Sequence, residues 1–359
     1  MEGVLHYISR QINISHNEKR LYNQHFQNFI YEFIEDMMDI DELFAYMYRK
    51  IAFVGSYWEG AKIDKPDEFD LNIVLKLPVK CEEIEIKNAG QSGFLTVKID
   101  RNSIKKLPKQ KMFKVMQDWF DDKNFFLPDK FRNWMYSVVQ KTFNEIGYDL
   151  CLDYNVQVKT NGPAITLFVG GKYPFSIDIV PVIQMPNSRW PEPPFRPNPY
   201  PKLNHLAWSL IPKPRKGINV QTEPGWIYWR PSFYDYERRL MMGQNRLKPA
   251  WKILKKLKES RGMERIVNYH IKNLCLIELE KNKDIWNTKS LEHVFLHLLK
   301  VFQLSLQVKK LPFYWQMDDN LYKTIKNDIL QDHYQHITKI IKKIEQNPKS
   351  ISEYFRFYY

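Results

Sequence analysis

The sequence predicts an α+β protein with two lobes. A mixed β-sheet sits with a long N-terminal spine helix, and a C-terminal lobe is built of helices. Capping-box spacing at Ser15-His-Asn-Glu18 opens a helical pattern that continues to about Lys50. Short β-type segments fill the middle of the chain. From about residue 245 the apolar spacing turns helical and stays so almost to the end.

The elements follow in order. The first helix has apolar positions at Leu21, Phe26, Phe29, Ile30, Phe33, Ile34, Met37 and Leu43. Strands are expected at 51–54 and 68–77, then a hairpin at 82–87 and 94–100 turning through Asn88–Gly93. Helices are expected at 110–121 and 128–146, and strands at 153–158, 164–169 and 175–183. Residues 181–201 are rich in proline, which lacks a backbone donor and breaks both ladders, so they read as an extended surface connection. Segments 204–212 and 225–238 return to the sheet lobe. Helices then follow at 248–260, 263–281, 288–307 and 319–345. The expected division is 1–244 for the sheet lobe with its spine helix and 245–359 for the helical lobe.

Composition narrows the function. The 359 residues are enough for a large core. No apolar run is long enough to span a bilayer, and no basic-then-apolar leader opens the chain. Cys81, Cys151 and Cys275 lie far apart without metal spacing and suit a reducing compartment, so a cytoplasmic protein is expected. The net charge of +13, from 54 basic and 41 acidic residues, is the footprint of a polyanion partner, nucleotide or nucleic acid.

The chemistry lies in a Gly-Ser step and three acids. Glu68-Phe-Asp70 opens a strand, and alternation puts Glu68 and Asp70 on one face with Phe69 and Leu71 on the other. In Phe175-Ser-Ile-Asp-Ile179, Ser176 and Asp178 share a face while Phe175, Ile177 and Ile179 fill the core. If the two strands are neighbours, Asp178 completes a triad. Carboxylates held this close need a counter-cation, and Mg²⁺ or Mn²⁺ takes hard oxygen ligands while keeping positions for phosphate. Two such ions activate an attacking hydroxyl and stabilise leaving pyrophosphate. Gly55-Ser56 ends the apolar run Ile51-Ala-Phe-Val54, where backbone N–H groups and a hydroxyl can approach a triphosphate. Together these are the parts of a nucleotidyltransferase.

With these motifs in place, the chain resembles the cyclic GMP–AMP synthase-like family of innate-immune nucleotidyltransferases. Gly55-Ser-Tyr-Trp-Glu-Gly-Ala-Lys-Ile63 followed by Glu68-Phe-Asp70 is similar to its activation segment and first metal strand, and Phe175-Ser-Ile-Asp178 to its third-acid strand. Trp208-Ser-Leu-Ile-Pro-Lys213, Trp229-Arg-Pro-Ser-Phe-Tyr-Asp-Tyr-Glu237, Trp251-Lys-Ile-Leu-Lys255 and Asn268-Tyr-His-Ile-Lys272 resemble its nucleotide-contacting segments. The resemblance runs from about residue 15 to the C-terminus. It implies that Glu68, Asp70 and Asp178 hold metal, that Gly55 and Ser56 hold triphosphate, and that Lys213, Arg230, Ser232, Glu237, Lys255, Asn268 and Tyr269 contact nucleotides. A tyrosine ring offers a π-face to a purine, and Arg a planar fork. Against these roles stand plainer ones: Lys255 on a solvated lysine-rich helix, Tyr269 in the core, Glu237 paired with Arg238 or Arg239.

One departure from the family is clear. Vertebrate cyclic GMP–AMP synthase carries a zinc-binding His/Cys insertion, whereas the gap from Glu237 to Lys252 contains no Cys and no His. No zinc site is expected, and the chain looks most like the insect receptors that lack the insertion and respond to double-stranded RNA. The resemblance therefore implies ATP and GTP as substrates, cyclic GMP–AMP as product, and double-stranded RNA rather than double-stranded DNA as activator, with assembly on the nucleic acid possible. Three basic stretches are candidates for it. They are Lys98–Lys114, Arg238–Arg265 (with Arg239 and Arg246), and the two ends of the spine, with Lys19 and Arg20 at one and Arg49 and Lys50 at the other. Two rivals remain: a transferase making linear 2′-5′ oligoadenylates, and a non-catalytic relative that keeps the fold to bind partners.

Overall fold

The computed structural model describes residues 1–89, 92–105, 107–153, 155–212 and 227–357. The chain divides into two compact units. One comprises His16–Trp58 and Pro66–Tyr236, the other Met1–Ser15, Glu59–Lys65 and Glu237–Tyr359.

The chain opens with α1 (Glu2–Gln11), part of the second unit. Helix α2 (His16–Ile40) buries Phe26, Phe29, Ile30, Phe33, Ile34 and Met37, the stripe expected of an amphipathic helix. The spine was expected to reach Lys50, but it stops at Ile40. The Asp41 carboxylate accepts the Phe44 N–H at 2.8 Å and caps a separate short helix, α3 (Glu42–Met47). Tyr48–Val54 is then strand β1, because Tyr-Arg-Lys-Ile-Ala-Phe-Val finds a ladder partner and pairing overrides the helical spacing.

A short helix α4 (Gly55–Trp58) leads to β2 (Glu68–Leu75). The expected hairpin forms as β3 (Ile84–Asn88) and β4 (Leu95–Ile99), paired antiparallel. Helix α5 (Gln110–Gln117) ends early, and α6 (Pro128–Asp153) runs past the expected 146, which moves the next strand, β5, to Val156–Asn161. Strands β6 (Ala164–Val169), β7 (Phe175–Pro186), β8 (Ala207–Ile211) and β9 (Tyr228–Ser232) complete the sheet, and α7 (Tyr234–Leu240) follows.

The sheet order is β1-β2-β7-β8-β9-β4-β3, with β6 also on β7 and β5 on β6. Strand β7 is the hub. It runs parallel to β2 and antiparallel to β6 over its first half and β8 over its last residues. Its length corrects the expectation of a connection from 181 onward. The β6 ladder ends at Ile179 and the β8 ladder begins at Ile183, so Pro181 falls where one flank has no ladder partner and a missing donor is tolerated. The residues after β7 are also less superficial than expected. Trp190 and Phe195 pack on Phe233, and the Asn187 amide donates to the Tyr200 and Pro201 carbonyls while its oxygen accepts the Tyr236 hydroxyl at 2.7 Å.

The second unit holds α8 (Leu247–Ser260), α9 (Asn268–Lys281), α10 (Ile285–Thr288), α11 (Leu291–Gln307) and α12 (Asn327–Gln346). A small hairpin, β10 (Pro312–Phe313) with β11 (Gln316–Asn320), precedes α12, and the helix expected from 319 begins only at Asn327. Helix α1 belongs here because its Leu5 and Ile8 are buried and its Glu2 carboxylate accepts the Leu291 and Glu292 N–H groups that open α11. Among the described residues, no helix is long and apolar enough to cross a membrane.

Candidate active site

The acids converge on one face of the sheet. Parallel pairing of β2 with β7 sets Asp70 opposite Asp178 and Glu68 opposite Ser176. One carboxylate oxygen from each of Glu68, Asp70 and Asp178 lies within 4.8 Å of the others. Two extended segments far apart in sequence thus bring three like charges together, a donor set of hard oxygens that fits a divalent cation. Asp178 is half-buried, and Thr166, its register partner on β6, donates to its Oδ1 at 2.6 Å. Burial pushes the Asp178 pKa up. The Thr166 hydrogen bond opposes that, and the nearby Glu68 charge adds to it.

Gly55 stands against this cluster. Strand β1 ends at Val54, which is paired with Asp70, and the chain then turns with φ +81° at Gly55. A Cβ there would lie 1.9 Å from Asp70 Oδ2. Both the backbone conformation and the space beside the carboxylate therefore demand glycine. Ser56 follows in α4, half-buried, and the helix is held by Tyr57, whose hydroxyl donates to Asn23 at 2.6 Å and whose ring meets Phe69 edge-on.

The remaining expected residues of the sheet unit are spread wider. Arg230 on β9 donates to the Gly93 carbonyl at 2.9 Å, with its guanidinium 5.4 Å from the Phe94 ring centre. Ser232 ends β9 opposite Ser209. Lys213 lies outside the described residues. Lys19 and Arg20 are exposed near the start of α2.

The helical unit carries a second, different cluster. Glu237 is buried; its Oε2 pairs with Lys272 at 2.6 Å, and its Oε1 accepts the Tyr269 hydroxyl and the Trp315 indole N–H, each at 2.9 Å. Lys272 also pairs with the buried Glu59 at 2.5 Å. Burial works against the Glu237 charge, but Lys272 outweighs it, with help from Trp315 and Tyr269, and the Glu237 pKa is lowered. Glu59 has fewer donors; burial dominates over Lys272 and its pKa is raised. Burial likewise opposes the Lys272 ammonium, yet Glu237 and Glu59 together hold its pKa above the ordinary lysine value. Tyr269 keeps part of its ring exposed above this network. Asn268 is exposed at the start of α9 and accepts from Lys258 at 3.2 Å.

Four lysines of α8, Lys252, Lys255, Lys256 and Lys258, are buried rather than solvated, while Lys248 is exposed. Lys252 donates to Asn13 at 2.5 Å and Lys256 to Asp64 at 2.7 Å, while Lys255 Nζ lies 3.5 Å from the Ala61 carbonyl. Their charges are turned into their own unit, so within the Arg238–Arg265 stretch the exposed cations include Arg238, Arg239, Arg246 and Arg265. Sequence reasoning missed Thr166, Glu59 and Trp315 and named Lys272 only as a motif end. Thr166 is an ordinary strand former in sequence, and only register sets it against Asp178.

A mixed sheet bearing this acid set beside a glycine turn belongs to the nucleotidyltransferases, and the chain is one. The Mab-21 protein nucleotidyltransferase domain matches residues 57–243, and the Mab-21 protein HhH/H2TH-like domain matches 246–339. A cyclic GMP–AMP synthase-like receptor of Tribolium castaneum is 30% identical over 99% of this chain and 91% of its own length. One of Nicrophorus vespilloides is 30% identical over 99% and 97%, and cyclic GMP–AMP synthase-like receptor 1 of Drosophila melanogaster 28% over 79% and 76%. The chain belongs to the family of cyclic GMP–AMP synthase-like receptors.

Proposed function

We propose that this nucleotidyltransferase joins ATP and GTP into cyclic GMP–AMP, with release of pyrophosphate, as a cytoplasmic innate-immune sensor switched on by double-stranded RNA. The observation that carries the reading is the convergence of Glu68, Asp70 and Asp178 beside Gly55. Glu68, Asp70 and Asp178 would hold Mg²⁺ or Mn²⁺, which when bound supplies an activated hydroxyl and neutralises charge on the triphosphate. The chain's own part is positional. Gly55 gives Asp70 its room, and the Gly55-Ser56 backbone and hydroxyl take the triphosphate. Arg230 and Ser232 are assigned to nucleotide contact on the sheet unit, and Lys255, Asn268 and Tyr269 on the helical unit. Glu237, expected to contact nucleotides, is buried against Lys272, Tyr269 and Trp315 and is assigned instead to holding Tyr269. No zinc is assigned. The product and substrates are supported by the names of the relatives, and RNA over DNA by the missing His/Cys insertion. Arg239 and Arg246, exposed on one unit, and Lys19 and Arg20, exposed on the other, are the proposed RNA contacts.

The test is incubation with all four nucleoside triphosphates and Mg²⁺ or Mn²⁺, with double-stranded RNA, with double-stranded DNA and with neither, followed by mass analysis. A cyclic GMP–AMP mass formed only with RNA is expected. Linear oligoadenylates would select the rival transferase, and stimulation by DNA alone would remove the RNA-sensor reading. Stimulation should fall steeply with salt, since released counterions drive duplex binding. The pair Arg239→Glu with Arg246→Glu should lose it.

A further inference from the structure

The acid face includes a buried residue that holds no metal itself. Thr166 is buried, 6% exposed, in the middle of β6. Antiparallel register places it opposite Asp178, and its hydroxyl donates to Asp178 Oδ1 at 2.6 Å. We propose that Thr166 is a positioning residue, which fixes the Asp178 carboxylate in the rotamer that presents its other oxygen toward Glu68 and Asp70. The proposal rests on the reading of the three acids as cation ligands.

Rotation and repulsion decide where the Asp178 carboxylate points. An aspartate has a soft terminal torsion, so a carboxylate on a strand swings broadly unless something holds it. Here the pull is away from the cluster, because Glu68 and Asp70 put like charge in front of it. A hydroxyl fixed on the neighbouring strand resists that swing, because β6 and β7 are locked by five register pairs from Ile165↔Ile179 to Val169↔Phe175. Threonine suits the position: its branched Cβ stiffens χ1, so the donor is itself pre-set. Glu68 and Asp70 sit on one strand, two residues apart, and keep their spacing through the backbone. Asp178 alone comes from a different strand, so it is the ligand whose aim depends most on such a tie.

Orienting partners of metal ligands typically change affinity by about 10–100-fold when lost. The probe is Mn²⁺ alone, titrated by electron paramagnetic resonance into the wild-type chain, Thr166→Val, Thr166→Ser and Glu68→Ala/Asp70→Ala, with thermal melting alongside. Valine keeps the volume and the strand preference while removing the donor. Thr166→Val should fold and bind Mn²⁺ about 10-fold more weakly, and Thr166→Ser should return binding to within about 3-fold of wild type. In turnover assays the Mn²⁺ concentration for half-maximal rate should shift by the same factor. Unchanged Mn²⁺ binding in Thr166→Val, or equal loss in Thr166→Ser, overturns the proposal while leaving the triad intact. Wild-type Mn²⁺ binding that survives Glu68→Ala/Asp70→Ala overturns the cation reading itself, and this proposal with it.

Discussion

The acid cluster of the helical unit and that of the sheet are built on opposite plans. In the helical unit, Glu59 and Glu237 share the ammonium of Lys272, and Tyr269 and Trp315 add donors to Glu237. On the sheet, Glu68, Asp70 and Asp178 point at one another, and the Thr166 hydroxyl is a neutral partner. The first is held by one shared cation, and losing Lys272 would strand two buried carboxylates. The second brings three carboxylates together, a set of hard oxygens that suits a divalent cation. On the proposed function, chemistry belongs to the sheet cluster and stability to the helical one, and substitutions should tell them apart.

The largest effect should come from the sheet cluster. Glu68→Ala/Asp70→Ala should cut turnover at least about a thousandfold, equal to ~4 kcal/mol of barrier. Melting temperature should hold, because Glu68 is exposed and Asp70 only half-buried. Near-normal turnover would end the two-metal reading, and a large fall in melting temperature would erase the contrast between the clusters.

Lys272→Met is the converse experiment. It leaves Glu59 and Glu237 buried without their shared cation and should destabilise by about 3–5 kcal/mol. Adding Glu59→Gln and Glu237→Gln should recover part of that loss, since neutral amides are cheaper to bury. If Lys272→Met melts like wild type in chemical denaturation, the helical cluster is not the structural one.

Gly55→Ala probes the boundary of the sheet cluster with a smaller change. A positive φ costs a non-glycine residue about 1–2 kcal/mol, and the new methyl must displace the Asp70 carboxylate. Turnover should fall about a hundredfold, with the half-maximal Mn²⁺ concentration raised, because the ligand is moved rather than removed. A fall in melting temperature with unchanged metal response would make Gly55 a turn residue only.

The contrast also explains what could be read from the sequence. The sheet cluster was legible because its parts lie in short motifs: alternation alone puts Glu68 and Asp70 on one face, and Asp178 stands out on an apolar strand. The β3–β4 hairpin follows the same local logic, whereas the β2–β7 pairing joins distant segments and stood in the sequence only as a condition. The helical cluster was hidden because Glu59, Glu237, Lys272 and Trp315 come from four distant places, and no periodicity predicts their meeting. The lysines of α8 misled for a related reason. Charge suggests solvent, but long stems can carry an ammonium to a carbonyl or carboxylate inside a fold. The end of α2 was lost where a capping Asp41 and a strand partner overrode helical spacing, and β10–β11 is too short to leave a pattern.

The smallest effect should come from Tyr269, where two roles meet. Its hydroxyl supports Glu237 and its ring is the proposed base platform. Tyr269→Ala should raise the nucleotide KM by the loss of stacking, about 1–3 kcal/mol, while Tyr269→Phe should leave KM close to wild type. The phenylalanine variant should instead act on stability, because a buried carboxylate loses one donor, at about 1–2 kcal/mol. The sign of its pH dependence follows from the lowered Glu237 pKa. A carboxylate held below the ordinary value of 4.5 contributes stability above that pH and loses it as pH falls through the folded value. Removing the Tyr269 donor moves the folded value back toward the ordinary one. The gap between wild type and Tyr269→Phe should therefore be widest near neutrality and narrow as pH falls through the folded Glu237 pKa, where the carboxylate takes up its proton. Melting curves across that range read it directly. A gap that is flat with pH would mean the hydroxyl acts through packing and not through the Glu237 charge.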